Sequence, residues 1–473
     1  MFATAFGGQA SMAENIIALR NAGADIIVDD VFYFAESAFQ DGMIAQAVNQ
    51  VVDDGALYFS SAGNSGNLND GTSGTWEGDY NSIARFGADV HDFGDSQGAA
   101  ILTQASQSPI TLRWNDPLGA SANDYDLFVI QNGVVIDSST NIQNGNDDPF
   151  EIVGPQPAGA QLIVVRRGNA ANRVIHLSTN RGRLNIATDS QITGHAAALR
   201  GIAVAAVNAA RANGGVFIGG VSNPVETFSS DGPRRVFYDE NGNPLSQDLT
   251  AAGGIIRQVP QIAAADGVAT SVPGFNPFFG TSAAAPHAAA IAGALLSARP
   301  DATGDQILNS LFATALDIEA PGFDRDSGNG VIDAAEALNI LCQDEGCNFN
   351  NGSTTPIDED NAFRNDQDIA IPDGIQGGIQ GTIDVTRSGG IGAVTVSFDI
   401  VHTARGNLRI TVFTPTGARA VLANTSNDRR DNLSRTITLN GGTLPTQGIW
   451  RLQIEDLITG NTGFLDTWSL TFE

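Results

Sequence analysis

Lysine is absent. All 24 cationic side chains among the 473 residues are arginine, set against 52 aspartates and glutamates for a net charge of −28 and a pI near 4.3. A surface of that sign repels a phosphate backbone, so nucleic acid is excluded as a partner. Arginine keeps its charge and forks onto carboxylates, which suits it to pairing with so many acids. The acid excess otherwise speaks of solubility in water or brine and carries no catalytic message. Cysteine is scarce: Cys342 and Cys347 are the only two. A CxxC redox or zinc site fails on spacing and ligand count, which leaves a small local disulfide if the protein is exported. No run of about 18 apolar residues occurs, so no membrane span is expected. Met1-Phe2-Ala3-Thr4-Ala5-Phe6 lacks the basic start of a signal peptide and reads as the tail of a strand. Repeats of solenoid period are missing as well.

What is present is texture. An apolar content of 42% can bury sizeable cores, and this length predicts two to four domains. Residues 1–70 alternate helix and strand. A helix is expected over 12–22 with Ser11 as its N-cap, then a buried parallel strand at Ala24-Asp25-Ile26-Ile27-Val28. A second helix over about 42–53 and a second strand, Ala56-Leu57-Tyr58-Phe59-Ser60, complete a crossover unit of a parallel sheet. From 71 to 185 helical periodicity vanishes, and short alternating strands are expected at 110–114, 126–131, 134–138, 161–166 and 174–178, an inserted all-β module. The α/β texture returns over 186–342 with a strand at 201–207 and a long alanine-rich helix at 282–298. Residues 343–360 are polar, acidic and turn-rich, so they read as a linker. Six further strands between 361 and 473 suit a compact β-sandwich.

Two motifs carry the chemistry. Phe279-Gly280-Thr281-Ser282-Ala283-Ala284-Ala285-Pro286-His287 opens the alanine-rich helix. It sets Ser282 where free backbone N–H groups and the helix dipole favour negative charge. A nucleophile there builds part of its own oxyanion hole, although a plain serine cap has the same appearance. Tyr58-Phe59-Ser60-Ser61-Ala62-Gly63-Asn64-Ser65-Gly66 runs off the end of a parallel strand, where open α/β sheets place their sites. Asn64 can there donate its amide to a developing oxyanion, or it can simply make a turn.

Together these segments resemble the subtilisin-like serine peptidases. Phe228-Ser229-Ser230-Asp231-Gly232-Pro233 is similar to that family's Ser-Ser-x-Gly-Pro loop, and Pro260-Gln261-Ile262-Ala263-Ala264 to one of its core strands. The resemblance covers about 1–70 and 190–340. It implies an α/β subtilisin-like parallel sheet, Ser282 as the acylated nucleophile and Asn64 as an oxyanion donor. It also implies that Ser61, Ala62 and Gly63 wall the pocket for the residue before the scissile bond. Polypeptide substrates follow, with no cofactor required. The acid-active sedolisin relatives place an Asp in the oxyanion position, so Asn64 argues against them.

The family's Asp-x-Gly and His-Gly-Thr motifs are not found. None of His91, His176, His195, His287 and His402 is followed by Gly-Thr. His287, five residues beyond Ser282 on one helix, is rotated by about 140° and displaced by about 7.5 Å. His195 precedes a core strand and reads as structural. The sheet is therefore expected to be incomplete at its N-terminus, with the base His, its Asp partner and the leader of a secreted protein all upstream of Met1. As given, the chain is expected to be inactive. A non-catalytic secreted binding protein using two β modules is the alternative. Asp30, in Val28-Asp29-Asp30-Val31-Phe32, stands where the family pairs with extended substrate, and is expected to favour basic substrate side chains or to be satisfied internally.

Ile110–Asn115 and Asp124-Tyr125-Asp126-Leu127-Phe128 resemble small β-sandwich modules found beside secreted bacterial peptidases. The C-terminal part resembles the P (Homo B) domain of proprotein convertases, through Ala370-Ile371-Pro372-Asp373, His402-Thr403-Ala404-Arg405-Gly406-Asn407-Leu408, Gly448-Ile449-Trp450 and Asp466-Thr467-Trp468-Ser469-Leu470. Asn407 stands where that family more often has Asp. Asp324-Arg325-Asp326-Ser327-Gly328-Asn329-Gly330 fails as a calcium-binding EF-hand loop, with Ala335 where the bidentate Glu belongs. Structural calcium is compatible with so acidic a chain, but the metal ligands are unknown.

Overall fold

The computed structural model describes residues 1–212, 216–342, 361–365, 367–374, 378–426, 428 and 431–472. The linker expected at 343–360 lies outside the described residues, and Cys347 with it; Cys342 is disulfide-bonded. The chain divides into two compact units, Met1–Phe349 and Asn350–Glu473.

The first unit is built on a four-stranded parallel sheet, in the order Ile26–Asp29, Leu57–Ser61, Ile202–Asn208, Ile262–Asp266. The last three strands are short apolar runs with both faces covered, whereas the first, expected to be buried, is only partly so, with Val28 42% exposed at the sheet edge. Side-chain alternation divides the faces. Leu57, Phe59, Val204, Ala206, Ile262 and Ala264 pack on helix Thr281–Ala298 through Ala284, Ala285, Ala288 and Ala292, whose small side chains let the helix lie close to the sheet. Ile27 and Tyr58 turn to the other face, against helices Gln9–Asn21 and Met43–Asp53. Burying each of those large side chains contributes about 1.5–3 kcal/mol. The register sets Asp29 beside Ser60, Val204 beside Ser61 and Asn208 beside Asp266, so the carboxyl ends of all four strands share one edge.

Ser11 is not the cap of the first helix. The helix begins at Gln9, and Gly8, with φ of 88°, occupies the cap without any side-chain hydrogen bond. Glycine's freedom at positive φ won over the hydroxyl signal.

Between the second and third strands the chain leaves the sheet to form an all-β module of two sheets. One has the order Phe150–Val153, Ile110–Trp114, Val174–Ser178, Thr75–Asp79; the other is centred on Gln161–Arg166, paired with Tyr125–Gln131. Trp114, Leu112, Leu127, Leu162, Val164 and Leu177 fill the space between them. A buried pair, Arg234 on Glu77, fastens the module to the α/β part, and His176 Nδ1 meets Glu77 at 2.8 Å. Arg234 and Glu77 are both buried, as two opposite charges can be only when paired.

The second unit is an antiparallel β-sandwich. One sheet has the order Ala362–Asn365, Gly463–Phe472, Gly390–His402, Leu433–Pro445; the other Ile379–Val385, Gly448–Asp456, Leu408–Phe413, Arg419–Ala423. Val396, Phe398, Ile410, Leu452, Trp450 and Trp468 form its core. Strand Leu433–Pro445 was not expected. Its apolar alternation is diluted by Ser, Arg, Thr and Asn, and pairing along Gly390–His402 makes it a strand. Asn407 donates to Ile458 O and Asn461 Oδ1, both at 3.1 Å, two bonds that an ionised Asp could not make.

Candidate active site

The segments on which the two motifs lie meet at the carboxyl edge of the parallel sheet. Ser61 ends the strand Leu57–Ser61, and Ala62, Gly63 and Asn64 carry the chain round the end of the nucleophile helix. The Asn64 side-chain oxygen Oδ1 accepts from the Thr281 backbone N–H at 3.0 Å and from the Thr281 hydroxyl at 2.9 Å. Gly63 N–H in turn donates to the Thr281 hydroxyl at 3.1 Å. Thr281 is buried, so this three-way connection is sheltered from water. It turns the Asn64 amide nitrogen away from Thr281.

Gly280, with φ of 132°, precedes the helix in a backbone conformation that side chains rarely adopt. A Cβ there would lie 3.2 Å from Asn64 Nδ2 and 3.5 Å from Ser282 Oγ. The amide nitrogen and the hydroxyl therefore flank the same small space. The Ser282 N–H belongs to the first turn, whose N–H groups have no carbonyl of their own helix to meet, at the positive end of the helix dipole. Pro286 follows within the same helix and lacks the N–H that would bind Ser282 O, so the first turn is loosened from the ladder.

Asp30 comes from the end of the neighbouring strand. It lines the cleft with Ser61, Gly63, Asn64 and Ser282, close enough for the Ser282 and Ser61 hydroxyls to bear on its ionisation. The residue lies at the open mouth of the cleft, yet its carboxyl is crowded by protein. Burial pushes its pKa above 3.8, and the two hydroxyls restrain the rise. Ser230, from the Ser-Ser-x-Gly-Pro-like loop, accepts from Ser65 N–H at 3.0 Å. Next to it Asp231 accepts from Leu68 N–H at 2.9 Å and Gln191 N–H at 3.2 Å. Burial pushes Asp231 up to about 7.

The five histidines are each accounted for. His195 also lines the cleft, but both of its ring nitrogens are taken: Nε2 meets Asp29 Oδ1 at 3.1 Å and Nδ1 meets Glu36 Oε1 at 2.9 Å. Burial disfavours its charge, but Glu36 and Asp29 outweigh that and hold its pKa well above 6.5. A ring donating through both nitrogens has no lone pair left to take a proton. His287 Nδ1 meets Ala283 O of its own helix at 2.7 Å. His91 and His176 sit in the inserted module, lowered by burial to about 3 and about 4. His402 lies in the second unit with Nε2 3.1 Å from Asp456. Among the described residues no group of three or more His, Cys, Asp or Glu side chains could hold a metal ion, and no helix is long and apolar enough to cross a membrane.

Three features of the cleft were not foreseen in the sequence: the grip of Thr281 on Asn64, the sharing of the cleft by Asp30 and Ser282, and the arrival of Asn180 and Arg181 from the inserted module. Thr281 had a signal, being part of the Gly-Thr-Ser segment. Arg181 had none beyond its place in a turn.

Comparison with known proteins identifies two families. The subtilase family model matches residues 4–330, and the proprotein convertase P-domain model matches 391–472. The extracellular basic protease of Dichelobacter nodosus is 30% identical over 201 residues, 41% of this chain and 33% of that protein. Leupeptin-inactivating enzyme 1 of Streptomyces exfoliatus is 32% identical over 123 residues, 26% of this chain and 28% of that protein. The transglutaminase-activating metalloprotease of Streptomyces mobaraensis is 37% identical over 112 residues, 23% of this chain and 15% of that protein. The chain thus spans a third or less of the length of these curated relatives. The solved serine protease of Aeromonas sobria aligns over 60% of this chain and 59% of its own, at 15% identity and a TM-score of 0.20, too low to support an argument.

Proposed function

The chain belongs to the subtilase family, and we propose that it is a serine endopeptidase hydrolysing peptide bonds through an acyl-enzyme on Ser282. The observation that carries this reading is the small space shared by Ser282 Oγ and Asn64 Nδ2, with Asn64 Oδ1 already bound by Thr281. A peptide carbonyl placed there would meet the hydroxyl on carbon and the amide nitrogen on oxygen.

In this reading Ser282 Oγ attacks the carbonyl carbon while its proton passes to the Asp30 carboxylate, which lines the same cleft. A carboxylate whose pKa is raised is the better base. The oxyanion is received by Asn64 Nδ2 and the Ser282 N–H. As the tetrahedral intermediate collapses, the C–N bond breaks and the departing amine takes the proton back from Asp30. Water then cleaves the ester by the same route in reverse. Asp30 was expected to receive a basic substrate side chain or to be satisfied internally; its place in the cleft with Ser282 and Ser61 supports the inward role. Ser61, Ala62 and Gly63 border the substrate path, and the protein works outside the cell on polypeptides.

The test is reaction of the whole chain with a fluorophosphonate, followed by peptide mapping. Covalent label on Ser282, abolished in Ser282→Ala, is the expected result. A folded chain that takes no label at Ser282 would overturn the reading in favour of a non-catalytic binding protein.

A further inference from the structure

The inserted β-module reaches into the cleft. Its turn Thr179-Asn180-Arg181-Gly182 follows strand Val174–Ser178, and Asn180 and Arg181 line the same cleft as Ser282. Both residues have left-handed backbone, with φ of 46° at Asn180 and 85° at Arg181. Asparagine tolerates that region, but arginine does so poorly, and a turn with two positive φ values ordinarily takes glycine second.

The conformation is imposed from all sides. Gly182 N–H closes the turn on Thr179 O at 3.4 Å, and Asn180 Nδ2 donates to Pro109 O at 2.6 Å. Ser178 Oγ donates to Asn180 Oδ1 at 3.2 Å. The Thr179 N–H and hydroxyl both donate to Gly74 O at 2.9 Å, and Ser106 Oγ donates to Thr179 O at 2.7 Å. Strain held by so many bonds, at a position where glycine would relieve it, points to a use for the side chain itself. That side chain is a permanent cation beside the reacting groups of a chain with net charge −28. Asp30 lines the same cleft; burial raises its pKa, and that cation works against the rise.

We propose that Arg181 is a specificity-determining residue, selecting peptides that carry a carboxylate side chain beside the scissile bond. A guanidinium fork matches a carboxylate with two parallel donors, and a turn fixed in place loses little freedom on binding. The proposal rests on the acyl-enzyme reading of Ser282 and gives it a substrate class.

The test uses the full chain and three peptidyl diphenyl phosphonates that differ only in the side chain next to phosphorus: Glu, Leu or Lys. The expected order of labelling rates at Ser282 is Glu first and Lys last. In Arg181→Gly the Glu rate falls by about tenfold or more, the size of one charge-assisted contact. The Leu rate stays unchanged and the melting temperature is equal or higher. Arg181→Lys keeps part of the preference, and Arg181→Glu moves it to the Lys probe. A variant Arg181→Gly that keeps the Glu-over-Lys order overturns the proposal, as does a wild-type chain labelled equally by all three. A wild-type chain labelled by none overturns the Ser282 reading itself.

Discussion

Thr281 grips Asn64 twice, through its N–H at 3.0 Å and its hydroxyl at 2.9 Å, both bonds ending on the same side-chain oxygen. One residue of the nucleophile's own helix thus orients the amide that faces the nucleophile. Any change in the helix start is passed directly to Asn64.

Thr281→Val keeps the shape but removes the hydroxyl, which leaves Gly63 N–H unmatched and Asn64 held by one bond. Stability should fall by about 1–3 kcal/mol, the cost of a buried group without its partner. Labelling of Ser282 by a fluorophosphonate should slow by about tenfold, since a misaligned oxyanion donor loses part of its value of about 2.7–4 kcal/mol. Thr281→Ser should be close to wild type in both respects. Equal labelling of the Val and Ser variants would contradict the orienting role.

Asp30→Asn separates stability from chemistry. The pKa of Asp30 is raised above 3.8 in the fold. The folded state therefore binds that proton more tightly than the unfolded chain does, and ionisation above it works against folding. The amide removes this opposition, so the variant should be no less stable at neutral pH. Ser282 labelling should nevertheless drop by about 10²-fold, the lower range for a lost proton acceptor. In the wild type the labelling rate should climb as pH rises through the raised pKa; in Asp30→Asn that climb should be absent. Rates compared across a pH series decide the matter.

His195→Gln breaks a buried charge cluster. Two carboxylates, Asp29 and Glu36, lose their shared cation, at a cost of about 3–5 kcal/mol. The sign of the pH dependence follows from both partners. The pKa of His195 is raised above 6.5, so its contribution is complete below 6.5 and lost as pH rises through the higher folded value. Burial works to raise Asp29, but His195 outweighs it and lowers the pKa below 3.8, so its contribution is complete above 3.8 and lost as pH falls through the lower value. The stability gap between wild type and variant should be widest between those two limits. Denaturant titrations across pH would measure it, and a gap that grows into alkaline solution would refute the assignment.

Arg234→Met should cost about 3–5 kcal/mol by stranding Glu77, whose carboxylate is held below 4.5 because Arg234 outweighs its burial. Adding Glu77→Gln should restore part of that loss, because the stranded charge is then gone. Melting of the two variants side by side gives the coupling. Losses that simply add would show that the pair does not fasten the module.

The sequence by itself determined whatever depends on neighbours along the chain. The continuous apolar run Gly201–Val207 announces a buried strand, and Ala24–Val28 a strand that proves only partly buried. The alanine-rich stretch after Ser282 announces a helix close to a sheet, and Gly-Thr-Ser and Ala-Gly-Asn announce a site. Local cues failed where two were in competition, as at Gly8 and Ser11, or where the pattern was thin, as in Leu433–Pro445.

Only the tertiary structure decided which distant residues complete the site. Thr281 lies 217 residues from the Asn64 that it holds, and Glu36 lies 159 from His195. Asp30 and Arg181 reach the same cleft from different sheets. No spacing rule connects such pairs. They meet because parallel strands align their carboxyl ends at one edge, and because burial leaves a charged or polar group stable only where a partner awaits it.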